Sequence, residues 1–150
     1  MTRTITLTIH GVPQAWRRAR LGYGKRAHHY TDNGTRSAKQ SVVWAFIKAA
    51  GGANMKKRTF FLGPVRLWVT AYFPIPKRTP KELRAVMETE TVWYPHVSDW
   101  DNLGKLPSDA LNGIAYKDDG QVVDGRVRKY YSPNPRVEIE ITELTPTKAD

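Results

Sequence analysis

No cysteine occurs in these 150 residues. That excludes disulfides, thiolate nucleophiles and Cys-ligated zinc, and it agrees with a reducing compartment. Long apolar runs are missing as well. No stretch of about 18 apolar residues offers a membrane span, and no apolar segment follows Met1-Thr2-Arg3 as it would in a secretory leader. The expectation is a soluble, cytoplasmic protein with no membrane partner. Acidic residues are scarce: 14 Asp and Glu stand against 24 Lys and Arg, a formal charge of +10 and a pI near 10.0. Such a surplus attracts polyanions and releases their counterions, so nucleic acid is favoured over an anionic membrane surface, and affinity should fall steeply with salt. With 40% hydrophobic residues the chain can bury one sizeable core, which fits a single domain over residues 1–150.

What is present has a legible order. Ile5, Leu7 and Ile9 alternate with threonines over residues 4–10, the period of a half-buried strand. Residues 11–35 form a basic loop, in which the Asn33-Gly34-Thr35 sequon reads as a turn. Ala38, Val42, Val43, Phe46, Ile47 and Ala50 recur at helical spacing, with Gly51 and Gly52 placed to end the helix. Residues 64–73 alternate Val65, Leu67, Val69, Ala71 and Phe73 with mixed residues, predicting a long strand. Between Pro74 and Pro95, Thr79 reads as an N-cap with Pro80 at the first helical position, and Leu83, Val86 and Met87 as the docking face. Residues 121–131 and 136–144 predict two strands joined by Ser132-Pro133-Asn134-Pro135, and the tail at 145–150 should fray. The sum is an α+β fold, a mostly antiparallel but mixed sheet with helices on one face.

Against this basic background, Ser98 to Val122 holds five aspartates and two lysines. If residues 101–113 are helical, Lys105, Ser108 and Asn112 fall within about 40° of Asp101, and Leu103, Leu106, Ala110 and Ile114 take the opposite side. Pro107 opposes an undistorted helix, at a cost of about 3 kcal/mol. Either the helix kinks there, or it begins near Leu106 and leaves residues 99–105 as a loop. Gathered carboxylates repel one another unless a cation joins them. Mg²⁺ or Mn²⁺, hard cations that take oxygen ligands, would suit such a cluster and phosphodiester hydrolysis alike. Lys105 would then stabilise the charged phosphate. In extended backbone only one of Asp118 and Asp119 can face the site, and spacing does not choose between them.

Each signal also has a plainer reading. Asp-x-Asp alone is more often a solvated turn, Asp118-Asp119-Gly120 reads equally as a turn between strands, Lys105 as a surface lysine paired with Asp101 or Asp109, and Asp124 as a turn or cap residue. The loop at 16–30 places Trp16, Tyr23 and Tyr30 among seven Arg, Lys and His side chains, a composition suited to phosphate contacts and base stacking. Arg17, Arg18, Arg20, Lys25 and Arg26 are the candidate nucleic-acid-binding residues there, with Lys105 and Lys117 in the acidic stretch. Trp16, Tyr23, Trp93 and Tyr94 are candidate stacking residues. His28, His29 and His96 lack the spacing of a zinc site.

The ordered string Asp99-x-Asp101-Asn102-Leu103-x-Lys105, Asp109-Ala110-Leu111-Asn112-Gly113 and Asp118-Asp119-x-Gln121-Val122 resembles the signature of the RusA family of Holliday-junction resolvases, small endodeoxyribonucleases of bacteria and their phages. The resemblance implies a RusA-like fold. It also implies that Asp99, Asp101 and Asp119 (rather than Asp118) are the catalytic and metal-binding carboxylates, Lys105 the catalytic lysine and Mg²⁺ or Mn²⁺ the cofactor, with no small-molecule organic cofactor. The substrate it implies is four-way branched DNA, cut by a homodimer in recombination and repair inside a bacterial or phage-infected cell. A two-fold enzyme can set equal sites on strands related by the junction's own symmetry. Trp100 stands between the paired aspartates where an aliphatic residue is common in the family. A nuclease for flaps or forks, and a branched-DNA binding protein without catalysis, are the competing readings.

Overall fold

Threonines and β-branched residues make β1 (Thr4–His10), with Leu7 turned into the core and the threonines outward. The structure, a computed structural model, describes residues 2–15, 20–21, 29–30, 33–51 and 61–145. After β1 come two short paired strands, β2 (Arg20–Leu21) and β3 (His29–Tyr30), and helix α1 (Asn33–Ala49). Strand β4 (Val65–Pro74), the short helix α2 (Lys81–Met87), helix α3 (Trp100–Leu111), a 3-10 turn at Asp119–Gln121, and strands β5 (Val122–Ser132) and β6 (Arg136–Glu143) complete the chain.

The sheet order is β1-β6-β4-β5. β6 runs antiparallel to both neighbours, whereas β4 and β5 are parallel, so α2 and α3 form the crossover that a parallel pair requires. β5 and β6 follow one another in sequence but do not pair, because β4 lies between them. On one face Leu7, Val65, Leu67, Val69, Ile139 and Ile141 are buried under α1 and α3. The mixed sheet with its helices on one side is the expected α+β architecture. Among the described residues no helix is long and apolar enough to cross a membrane.

Three local expectations change. α1 begins at Asn33, so the Asn33-Gly34-Thr35 sequon is the first turn of a helix and Thr35 is buried. The far end behaves as expected, Gly51 taking the left-handed φ of 117° that stops the turn. At α2 the N-cap is Pro80, not Thr79, whose hydroxyl instead donates back to the Pro76 carbonyl at 2.7 Å. Of the expected docking residues only Met87 is buried, and Leu83 and Val86 stay exposed. α3 is continuous from Trp100 and passes through Pro107 rather than starting near Leu106. Burial of Leu103, Leu106, Pro107, Ala110 and Leu111 offsets the missing backbone bond, since each buried aliphatic side chain contributes about 1.5–3 kcal/mol.

The opposite face of the sheet is built of stacked cations and rings. Arg126 lies over Trp68 with 3.5 Å to the ring centroid, and Arg66 lies 4.4 Å from the same ring while pairing with Asp124 at 2.7 Å. Asp124 is thus a strand residue and not a turn or cap. The Arg66 guanidinium holds its carboxyl below the usual range. At the other end of β4, Arg136 grips both carboxylate oxygens of Glu90 at 2.7 and 3.2 Å and covers Tyr72. That fork fixes Glu90 in its left-handed conformation, φ 61°, at the exit of α2.

Candidate active site

Asp99 and Asp101 flank the start of α3, and the geometry of a helix start sends them apart. Asp99 is the N-cap; its carbonyl accepts the Leu103 N–H at 3.0 Å, and it lines a depression of about 400 Å³ with Pro13, Gln14 and Asn102. Asp101 lies in the first turn and opens on the other side, into a groove of about 300 Å³ between α3 and β5. Lys105, one turn later, lines the same groove, as do Ser108 and Gly104. Gly104 lets α3 lie close to β5 beside this groove, for a Cβ there would stand 3.0 Å from the Val127 methyl, which would have to give way by a few tenths of an ångström.

Lys105 pairs with Asp109 at 3.1 Å, not with Asp101. Asp109 also meets Lys39 of α1 at 3.8 Å, so it ties the lysine of the groove to the neighbouring helix. At the far end of α3 the Tyr116 hydroxyl donates to the Ser108 carbonyl at 2.7 Å. Burial, reinforced by the charges of Asp119, Asp109 and Asp118, pushes that phenol up to about 12.

The turn at 117–121 separates its two aspartates by role. The Asp118 carboxylate accepts the Gly120 N–H at 3.3 Å in a capping box with Gln121, which leaves the neighbouring Asp119 side chain out of the cap. Gln121 uses its whole amide: its oxygen accepts from the N–H groups of Lys117 and Asp118 at 2.9 and 3.2 Å, and its nitrogen donates to the carbonyls of Phe61 and Gly63 at 2.8 and 3.0 Å. The turn that carries Asp119 is therefore bolted to the chain just ahead of β4. Lys117 is exposed on the same turn.

Asp99, Asp101 and Asp119 were expected to share one cation, and they do not gather in this chain. Among the described residues no three His, Asp or Glu side chains form a group that could hold a metal ion. Asp99, in extended backbone at the N-cap, and Asp101, in the first turn, line separate depressions. The donor chemistry still suits a hard cation, which needs only one or two carboxylates when water and phosphate supply its other oxygens.

One positioning group escaped sequence reasoning. Lys129 of β5 donates to the carbonyls of His96 and Ser98 at 2.8 and 2.9 Å. Ser98 holds φ 83° immediately before Asp99, a conformation that L side chains rarely adopt. The signal was available in the alternation of β5, where Lys129 takes a helix-facing position between Val127 and Tyr131.

Of the other expected contacts, Trp93 is 61% exposed and stacks on Tyr130 at 4.6 Å. Tyr94 is a packing residue, stacked on Phe73 at 3.9 Å and edge-on to Tyr131 and His96. Arg17, Arg18, Lys25, Arg26, Trp16, Tyr23 and His28 lie outside the described residues, as do the side chains of Arg20 and His29 and the tail at 146–150.

Comparison with known proteins bears on the same stretch. The family model for endodeoxyribonuclease RusA matches residues 10–142. The chain is also similar to the uncharacterized protein YqaN of Bacillus subtilis (strain 168), 34% identical over 143 residues that cover 94% of this chain and 97% of that protein.

Proposed function

The chain belongs to the RusA endodeoxyribonuclease family, and from that premise we propose that it is a Mg²⁺-dependent endonuclease that resolves four-way DNA junctions in recombination and repair, working as a homodimer. The observation that carries the reading is the groove between α3 and β5, where Asp101 and Lys105 stand one helical turn apart. A carboxylate and an ammonium at that spacing suit a phosphodiester in water: the lysine neutralises charge that builds on the phosphoryl oxygens as the P–O bond breaks. Asp109 keeps that ammonium beside the groove, and Gln121 and Lys129 hold the segments that carry Asp119 and Asp99. Mg²⁺, with Mn²⁺ as its substitute, is the cation this chemistry calls for. Asp101, with Asp99 or Asp119, would contribute its protein oxygens, and the ion would make bound water a better nucleophile. The surplus of ten positive charges favours the phosphate backbone as partner.

Nicking of a synthetic four-way junction, with linear duplex, flap and fork controls, tests the proposal. Asp101→Asn should abolish Mg²⁺-dependent cleavage and leave junction binding intact or tighter. The ungathered carboxylates favour one second reading, a branched-DNA binding protein without catalysis. Wild-type protein that binds junctions but cuts none of these substrates with Mg²⁺ or Mn²⁺ would establish it.

A further inference from the structure

The groove beside Asp101 has a floor that phosphodiester chemistry does not call for. Leu67, Val69, Val122 and Val127 line it, and Gly104 and Gly125 leave two of its positions without side chains. A Cβ on Gly125 would meet nothing within 4 Å, so the glycine itself keeps the strand side open. Trp100 lines the same groove and is 66% exposed, so its indole is open to a partner from solvent. Arg126 also lines the groove, but its guanidinium is folded over the Trp68 ring, 3.5 Å from the centroid.

A phosphate gains from cations and N–H donors, not from aliphatic walls beside an indole. A nucleobase has the matching chemistry: flat, apolar faces that stack on aromatic rings, and a polar edge. A base stacked inside a duplex cannot enter such a groove, so the nucleotide must leave the stack, and it leaves most readily where pairing is already interrupted. We propose that the groove between α3 and β5 takes one unstacked nucleobase next to the phosphate held at Lys105. Trp100 stacks on that base, and Ser108 is the neutral hydrogen-bonding side chain along the groove. The proposal rests on the reading of this groove as the nuclease site, and it assigns the groove a second ligand, the base, that the cleavage chemistry does not itself require.

The test uses the full chain and a four-way junction in which a single abasic nucleotide is walked through the positions flanking the exchange point, with binding measured by titration without divalent cation. Loss of one base–aromatic stack should weaken wild-type binding about 5- to 150-fold at one position and little elsewhere. Trp100→Ala should lose a similar factor on the intact junction and nothing further on that abasic one. Gly125→Val should weaken binding likewise with its thermal midpoint unchanged. Equal, additive losses at every abasic position, or variants that bind as wild type does, would overturn the base site. So would a Trp100→Ala protein that shows only an altered sedimentation coefficient, since Trp100 would then face a second copy. The two readings fail separately. Cleavage abolished by Asp101→Asn with Trp100→Ala unaffected sinks the base site alone, whereas wild-type protein that binds no branched DNA sinks the nuclease reading beneath it.

Discussion

Replacing Lys129 by methionine removes one ammonium while keeping an unbranched side chain in β5, and it isolates what holds the approach to Asp99. The ammonium donates to two carbonyls, at His96 and Ser98, and sits 5.5 Å from the Tyr94 ring. A hydrogen bond from a charged donor nets about 1.5–3 kcal/mol, and the partial exposure of this pair puts each bond at or below the lower end. The left-handed Ser98 costs roughly 1–2 kcal/mol in the folded state, and without the lysine nothing offsets it. Lys129→Met should therefore destabilise the protein by about 2–3 kcal/mol, lowering Tm by roughly 4–12 °C for a chain of this size. Thermal and urea unfolding followed by tryptophan fluorescence would measure it, with the urea slope unchanged. Adding Ser98→Gly should recover part of the loss, because glycine adopts positive φ without a steric penalty. A Lys129→Met protein that melts with the wild type, or a double variant no better than the single, would refute the clamp.

Two further outcomes follow from the groups that frame the groove. Gln121→Glu keeps the shape but turns two donors into acceptors facing the carbonyls of Phe61 and Gly63; it should cost about 2–4 kcal/mol in urea unfolding, and a loss under about 0.5 kcal/mol would mean the amide is dispensable. Tyr116→Phe leaves the Ser108 carbonyl without its donor and should cost about 1–3 kcal/mol near neutral pH. The phenol stands near 12 in the folded chain against 10.0 when unperturbed, so its contribution is complete below pH 10 and is lost as the pH rises toward 12. Stability of the wild type relative to Tyr116→Phe should thus shrink over that window, and parallel alkaline profiles would contradict the assignment.

What the chain shows before folding is periodicity, and periodicity carried the sheet. Alternation in residues 4–10 and 64–73 located β1 and β4 within a residue or so, because one face of each strand is buried and a polar residue on it would be expensive. Periodicity carries no information about neighbours. The insertion of β4 between β5 and β6 is a long-range choice, set by the crossover through α2 and α3 rather than by any local pattern. Pro107 shows the complementary limit: a local rule against helix interiors was overridden by five buried side chains on one helical face.

The motif residues are another matter, since a spacing names groups without saying where they point. Asp101 and Lys105 share a groove because i and i+4 on a helix must lie on one side. Asp99 lies two residues upstream of Asp101, and that offset turns it to the other side of the helix start. The same string contains the parts that restrain this geometry, although none of them announces it: Gly104 lets the helix settle on Val127, Gln121 fixes the Asp119 turn, and Asp118 spends its carboxylate on a cap. Within one chain, then, the motif builds a frame around Asp101 and Lys105, and among the described residues no three acidic or histidine side chains form a group that could hold an ion. On the proposed reading a phosphodiester and its ion complete the ligand set that the carboxylates of one chain begin, so cation affinity measured with junction DNA present should exceed that of the protein alone.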